Sequence, residues 1–227
     1  MKILLINPNT SRDMTETINR VAKKAASLKT DITTLNPDEG PEFLANSSLE
    51  ALQVPKVIDL VERNRENYDA FIIACGGDPG LDSCRILAKN VIGSGEAAIM
   101  TACAVAKKFS FLNTMAGLSI LDRLYTLGID KARCASVRVL GNEGSAEIVK
   151  KRHLMLEAYY KIGKKCIDED GASALVLLCA GLCDVTNYLE ERLGVPVISG
   201  VISAVKIAEQ LPYRHSSETH VSYAARG

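Results

Sequence analysis

The segment Ala70–Gly80, AFIIACGGDPG, decides the fold. Its first five residues are apolar without alternation, which is typical of parallel strands covered on both faces. Cys75 follows directly, and the small residues after it lead into a helix predicted over residues 81–90. The segment therefore predicts a buried strand whose carboxyl end carries a thiol close to a helix N-terminus.

The same pattern opens the chain at Ile3–Ile6, an apolar run closed by the turn sequence Asn-Pro-Asn. Apolar side chains then recur over residues 14–25 at helical spacing, which predicts an amphipathic helix. Thr10 or Ser11 is suited to cap this helix, because either hydroxyl can accept from the free amides of the first turn. A strand-to-helix unit is thus also expected at the start of the chain, N-terminal to the one at Ala70–Gly80. A further helix is predicted between the two units, over residues 49–65, and Pro55 starts or bends it.

The second half of the chain repeats this order. When the second half is aligned with the first at an offset of 106 residues, Asn113 matches Asn7 at the end of an apolar run. At an offset of 104 residues, Cys179 matches Cys75. Each half then continues with a helix and a further short strand. Alternating strands and helices imply parallel sheets joined by right-handed crossovers. The sequence therefore predicts an α/β fold of two pseudosymmetric domains, each with a mainly parallel sheet flanked by helices.

Ligands of open parallel sheets bind at the carboxyl ends of the strands. If the two halves face each other, the strand-end cysteines meet across one cleft, which we expect to be the active site. We expect a first domain of residues 1–97 and 201–227, whose C-terminal helix returns to it, and a second domain of residues 98–200.

Composition excludes several classes of function. The 227 residues are 47% hydrophobic and 24% charged, which is typical of a packed globular protein. Lys plus Arg equals Asp plus Glu at 27 each, so no surplus of positive charge favours nucleic acid or an anionic membrane surface. No apolar stretch approaches the ~18 residues of a membrane span. We therefore expect no nucleic-acid partner and no membrane partner.

The chain has seven cysteines, and its first apolar run is too short for a secretory signal. An odd number of cysteines without a leader predicts reduced thiols and a cytoplasmic location. Most free cysteines are small core residues, and this interpretation suits the four without a motif around them: Cys84, Cys103, Cys134 and Cys166.

Cys75 and Cys179 differ from the others because each ends an apolar strand, is followed by small residues and precedes a helix. Small neighbours let a ligand approach the backbone closely. Amides at a helix N-terminus lower the pKa of a thiol from about 8.5 towards neutrality and can hold an anionic oxygen. The two thiols are therefore candidates for an acid and a base.

Competing interpretations have less support. Cys179 and Cys183 lie near one helix start and His153 could assist them in binding a metal, but no second close pair supplies the remaining ligands of a zinc site. Cys183 is expected to be a helix residue near the site. Asp78 stands between Gly-Gly and Pro, where an acidic residue more often fixes a turn or a helix start than catalyses.

Several motifs resemble the hydantoin racemase branch of the aspartate/glutamate racemase superfamily, in order from residue 3 to about residue 211. The Cys-Asn-Thr and Gly-Cys-Thr signatures of the aspartate and glutamate branches do not occur around the two strand-end cysteines. The matching motifs are Asn7-Pro8-Asn9-Thr10-Ser11 with Met14-Thr15, Ala74–Asp82, Gly95-Glu96-Ala97-Ala98, Cys179-Ala180-Gly181 and Gly194–Ile198.

This resemblance implies a racemase without cofactor or metal, with Cys75 and Cys179 on opposite faces of the stereocentre. A carbon acid inverts when a base removes its proton from one face and an acid returns a proton to the other. The implied substrate is a 5-monosubstituted hydantoin or the related ureide allantoin, whose ring carbonyl takes the charge as an enolate. The residues implied to hold it are Asn7, Thr10, Gly76, Gly77, Thr114, Ala180 and Gly181.

Two alternatives stay open at this point. One is a relative that uses a single cysteine, such as a maleate isomerase or an arylmalonate decarboxylase, although the presence of both thiols argues against it. The other is a catalytically silent module that binds a small molecule. In each case we expect a homo-oligomer with a small-molecule ligand.

Overall fold

A computed structural model describes residues 1–113, 120–140 and 152–211. Within these ranges the strands form two four-stranded sheets, and every strand pair is parallel. Their orders are β2-β1-β3-β4 and β6-β5-β7-β8. The strands are β1 (Lys2–Ile6), β2 (Asp31–Leu35), β3 (Ala70–Ile73), β4 (Val91–Gly93), β5 (Phe109–Asn113), β6 (Cys134–Val139), β7 (Ala174–Leu177) and β8 (Val197–Ser199).

We call the part built on the first sheet the first lobe and the part built on the second sheet the second lobe. The two sheets have the same strand order, which confirms the predicted α/β fold with two pseudosymmetric halves. The helices are α1 (Arg12–Ala25), α2 (Ser47–Asn64), α3 (Leu81–Leu87), α4 (Ser94–Val105), α5 (Ile120–Thr126), α6 (Arg152–Asp168), α7 (Thr186–Leu193) and α8 (Gly200–Gln210).

Local sequence explains where the first helices begin. Ser11 caps α1, its hydroxyl accepting from the Met14 N–H at 3.4 Å, as one of the two predicted capping residues. Asn46 caps α2 in the same way, accepting from the Leu49 N–H at 3.0 Å. Helix α2 therefore begins well before Pro55, which lies inside it rather than at its start.

The register of the strands brings the predicted site segments together. Ile6 pairs with Ile73, so Asn7 and Cys75 follow neighbouring strands at one sheet edge. In the second lobe Leu112 pairs with Leu177, so Asn113 and Cys179 follow neighbouring strands in the same way.

Two helices cross between the lobes. Ala98, Ile99 and Ala102 of α4 pack in a buried cluster with side chains of β5 and β7. Val201, Ala204, Val205 and Ala208 of α8 pack in another with side chains of β1 and β3. A Cβ added at Gly200 would overlap the Ser94 carbonyl, so the helices touch where they begin. The predicted domain boundaries at residues 97 and 200 lie in these two helices, and the division of the chain into domains stays a prediction.

Among the helices that the structure describes, none is long and apolar enough to cross a membrane.

Candidate active site

One cleft lies between the lobes, at the carboxyl ends of their strands. Its volume is about 60 Å³, which suits a small ligand rather than a polymer. Both lobes contribute to its walls, and so does the segment that leads into α2. The lining residues are Asn7, Asn9, Met14, Phe43, Leu44, Glu50, Ala74, Cys75, Gly76, Asn113, Leu178, Cys179, Ala180 and Gly181.

Two glycines let the lobes approach each other at this cleft. A Cβ added at Gly76 would overlap the Leu178 carbonyl oxygen and lie 2.9 Å from the Leu178 Cβ. A Cβ added at Gly181 would lie 3.1 Å from the Cγ and Cε atoms of Met14. The residues after each cysteine are therefore in contact with the opposite lobe. A larger side chain at Gly76 would force the lobes apart, because it meets backbone atoms of Leu178.

Cys75 is half-buried, and its thiol donates to the Glu50 Oε1 atom at 3.5 Å. Burial raises the pKa of Cys75 well above its usual range, and the negative charges of Glu50 and Asp78 raise it further. A hydrogen bond from the Gly77 N–H lowers this pKa but does not outweigh the other effects. The expectation that backbone amides bring the pKa of Cys75 towards neutrality is therefore wrong, because burial and carboxylates dominate.

Glu50 lies in the first turn of α2 and is half-buried. Its carboxylate occupies the space that a Cβ at position 77 would need, so a side chain there would displace the carboxylate. Burial raises the pKa of Glu50, whereas the hydrogen bond from Cys75 and the charge of Arg123 lower it.

Asp78 lies in the turn that follows Cys75, where its N–H donates to the Cys75 carbonyl at 3.0 Å. Its buried carboxylate accepts from the N–H groups of Gly95 and Glu96 at 2.8 and 2.9 Å, and from the Arg123 guanidinium at 2.7 Å. Burial raises the pKa of Asp78 to about 6, even though these partners lower it. The Asp78 carboxylate thus holds the first turn of α4 and also binds α5 of the second lobe. The helix that directly follows it, α3, is preceded by Gly80 and has no side-chain cap, so the helix start that Asp78 fixes is a different one from the one the sequence suggested.

Cys179 is half-buried and immediately precedes a short 3-10 helix, Ala180–Leu182. Cys183 follows this helix and is buried in the core of the first lobe, among side chains such as Val201. Burial raises the pKa of Cys183 to about 12, so this thiol is poorly suited to act as a base near neutral pH.

The predicted site residues fall into three groups. Most of them line the cleft: Cys75, Cys179, Asn7, Gly76, Ala180 and Gly181. Thr10 and Gly77 are not among the lining residues, and the Thr10 hydroxyl donates to the Gly40 carbonyl at 3.2 Å. Thr114 lies outside the described residues.

Asn7 lines the cleft, but its side chain also organises the turn after β1. Its Nδ2 atom donates to the Asn9 Oδ1 at 2.9 Å and to the Thr15 hydroxyl at 3.0 Å. These hydrogen bonds shape the wall beside Cys75, and a direct role for Asn7 in holding a substrate stays a prediction.

Sequence reasoning missed several lining residues. Met14, Phe43 and Leu44 form an apolar part of the wall, and Glu50 contributes a carboxylate. Met14 belongs to a motif noted in the sequence, but the other three lie in or beside a helix that carried no motif. Only the packing of α2 and the segment before it against the sheet edge brings these side chains to the cleft.

Comparisons with known proteins identify the family. The family model described as Asp/Glu/Hydantoin racemase matches residues 3–208. Because the match spans most of the chain, this protein belongs to the Asp/Glu/hydantoin racemase family.

Among its relatives are two named hydantoin racemases. One, from Pseudomonas sp. strain NS671, is 36% identical over 215 residues, covering 93% of this chain and 86% of the relative. The other, from Paenarthrobacter aurescens, is 39% identical over 215 residues, covering 93% of this chain and 91% of the relative.

Two solved structures of allantoin racemases are similar to this chain in sequence and in fold. The allantoin racemase from Klebsiella pneumoniae is 34% identical with a TM-score of 0.83, covering 92% of this chain and 86% of that one. The allantoin racemase from Pseudomonas fluorescens is 33% identical with a TM-score of 0.85, covering 92% and 89%.

Proposed function

We propose that this protein is a racemase that inverts C5 of 5-monosubstituted hydantoins or of allantoin. One observation carries the proposal: Cys75 and Cys179, from opposite lobes, line the same cleft. The named activities of the relatives, hydantoin racemase and allantoin racemase, support this choice of substrates.

In the proposed reaction one cysteine takes a proton from C5 and the other gives a proton to C5. A thiolate removes the C5 proton, so that a new S–H bond forms and the C–H electron pair moves onto the neighbouring carbonyl as an enolate. The second thiol then gives its proton to the opposite face of C5 and becomes a thiolate. Positioned acids and bases of this kind contribute about 10²–10⁴ in rate.

Backbone amides are suited to stabilise the enolate oxygen. Gly76 follows Cys75, whereas Ala180 and Gly181 follow Cys179, and all three line the cleft. We propose that their peptide N–H groups bind the ring carbonyl as its negative charge develops.

The racemase proposal is tested by following the optical rotation of a single enantiomer of a 5-substituted hydantoin or of allantoin, against its uncatalysed rate. We expect the rotation to decay to zero, and to decay at the uncatalysed rate with a Cys75→Ser/Cys179→Ser variant. Binding without any acceleration by the wild-type protein would identify a silent binding module instead.

The one-cysteine alternatives have weaker support. The maleate isomerase of Pseudomonas putida S16 is only 15% identical at a TM-score of 0.63, so this likeness shows the fold alone. Both cleft thiols are present in this chain, whereas a one-cysteine mechanism needs one of them.

We further propose that the protein works as a homo-oligomer in the cytoplasm. All seven cysteines lie in the described residues and none is joined in a disulfide, which suits a reducing compartment. Apolar side chains of α4 and α5 are exposed, namely Met100, Leu121 and Tyr125, and these support association between copies. Light scattering at micromolar concentration measures the oligomeric state.

A further inference from the structure

A two-thiol racemase needs one proton on the pair, because a thiolate must face a thiol. Two thiols would leave no base, and two thiolates would leave no acid. The cleft must therefore make its two cysteines unequal at rest.

Burial and nearby negative charges favour the protonated form of Cys75. Three acidic groups from different parts of the fold act on its thiol: Glu50 of α2, which accepts its hydrogen bond at 3.5 Å, Asp78 in its own turn, and Cys179 in the opposite lobe. Each of these charges raises the pKa of Cys75. Among the described residues that line the cleft there is no Lys, Arg or His to compensate them.

One cation of this network, Arg123, is already bound to a carboxylate. Arg123 donates to Asp78 at 2.7 Å and to the Gly77 carbonyl at 3.3 Å, and its charge lowers the pKa of Glu50. Burial raises the pKa of Glu50, and the charge of Arg123 opposes this effect. An ionised Glu50 carboxylate is the better acceptor for the Cys75 thiol at 3.5 Å.

We propose that Glu50 is a positioning residue that keeps the proton on Cys75, so that Cys75 is the thiol of the resting pair. This inference rests on the proposed function, because it assigns the thiol that the proton transfer needs. Glu50 acts through Cys75 and does not itself exchange a proton with the substrate.

The proton account is closed. In one direction Cys179 takes the C5 proton and Cys75 gives its own to the opposite face, which leaves a Cys75 thiolate facing Glu50. Cys179 then loses the C5 proton to water and Cys75 takes a proton from water, a return that the repulsion between the Cys75 thiolate and Glu50 favours. In the other direction the enzyme starts from the less populated state, in which Cys75 is the thiolate.

The test is Glu50→Gln, which keeps the size of the side chain and removes its charge. Two quantities are measured against pH: the rate of Cys75 alkylation by iodoacetamide, assigned by peptide mass spectrometry, and kcat/KM for racemisation. Removing one close negative charge shifts a pKa by about one unit or more. We expect the alkylation midpoint of Cys75 and the alkaline limb of kcat/KM to move to lower pH by about this amount.

Two further variants separate charge from packing. Glu50→Asp keeps the charge but moves it slightly away from Cys75, so its alkylation midpoint should fall by less than half of the shift seen in Glu50→Gln. Glu42→Gln removes an exposed carboxylate from the segment before α2 and should change neither quantity.

An unchanged or raised midpoint in Glu50→Gln would overturn the inference, as would equal shifts in Glu50→Asp and Glu50→Gln. If the Glu50→Gln protein does not fold, Glu50→Asp provides the test. A fall of one unit or more in its alkylation midpoint would then overturn the inference. Alkylation needs no substrate and therefore tests the inference about Glu50 alone. Absence of racemase activity in the wild type would contradict the proposed function independently of this result.

Discussion

At the scale of single residues, Gly76 sets how closely the two cysteine loops approach each other. Its missing side chain leaves room for the Leu178 carbonyl of the second lobe. For Gly76→Ala we expect a loss of about 1–3 kcal/mol in the free energy of unfolding, because the added methyl group overlaps backbone atoms that cannot rotate away. We also expect racemisation to fall at least tenfold, because the thiols separate. Urea denaturation and polarimetry measure the two effects.

Gly163→Ala is the matched control for this substitution. Gly163 lies in α6, and a Cβ there would meet the side-chain ends of Leu193 and Leu175 at 2.8 and 3.1 Å. Flexible side-chain ends can shift, and Ala is favoured over Gly in a helix by about 1 kcal/mol. Equal losses in both variants would mean that contact between the lobes is not what Gly76 provides.

The residue scale also shows what sequence could and could not predict about the site. Cys75 and Cys179 were found because each ends an apolar strand and the two occur in repeated positions. Glu50 was missed because its contact with Cys75 links residues 25 positions apart through the packing of a helix, which no local pattern encodes. The pKa of Cys75 was mispredicted for the same reason, since its direction depends on that carboxylate and on burial.

At the scale of elements, helix α8 is anchored to the first lobe through Glu209. Its carboxylate accepts from the Ser27 N–H and the Thr30 hydroxyl, both at 2.7 Å. Burial alone would raise the pKa of Glu209, but these hydrogen bonds outweigh it and lower the pKa to about 2.

A carboxyl group whose pKa is lowered by folding stabilises the protein above its unfolded pKa, and this contribution is lost as the pH falls towards its folded pKa. We expect Glu209→Gln to cost roughly 1–3 kcal/mol at pH 7, and less than half of this at pH 3. Urea denaturation at both pH values measures the difference. The exposed Glu16→Gln should cost under about 0.5 kcal/mol at pH 7. A cost for Glu209→Gln that does not depend on pH would contradict this account.

The segment before α2 is the element that we expect to select the 5-substituent. Phe43 and Leu44 contribute apolar side chains to the cleft wall, so an apolar substituent should be preferred over the polar ureido group of allantoin. In a hydrophobic pocket even one methylene group of a substrate changes kcat/KM by about 10–200-fold, or about 1–3 kcal/mol.

Phe43→Ala should therefore lower kcat/KM at least tenfold for 5-benzylhydantoin. It should change kcat/KM less than threefold for 5-methylhydantoin, which is the matched substrate control. Polarimetry with both substrates measures the two values. Equal losses for the two substrates would show that Phe43 supports the fold of the cleft and does not contact the substituent.

Elements also differed in how well sequence predicted them. Strand β2 was not predicted, because its sequence DITTL is short and only Ile32 is buried, so it lacks the apolar run of the other first-lobe strands. Strands β1 and β3 were predicted because they are apolar and buried almost throughout. Sequence therefore specifies the strands that carry the site better than the strand at the sheet edge.

At the scale of the whole molecule, two sheets of the same strand order present their carboxyl ends to one cleft. Internal repetition in the sequence was sufficient to predict this arrangement. It could not predict how closely the lobes meet, because that depends on contacts such as Gly181 with Met14, made between residues far apart in the chain.

The central claim is that Cys75 and Cys179 act on opposite faces of one carbon atom. The measurement that tests it most directly follows inversion and deuterium uptake at C5 in D₂O, for each enantiomer of a 5-substituted hydantoin. We expect Cys75→Ser and Cys179→Ser each to abolish racemisation, and any deuterium exchange that remains to occur with one enantiomer and without inversion. Full racemisation by either variant would contradict the claim.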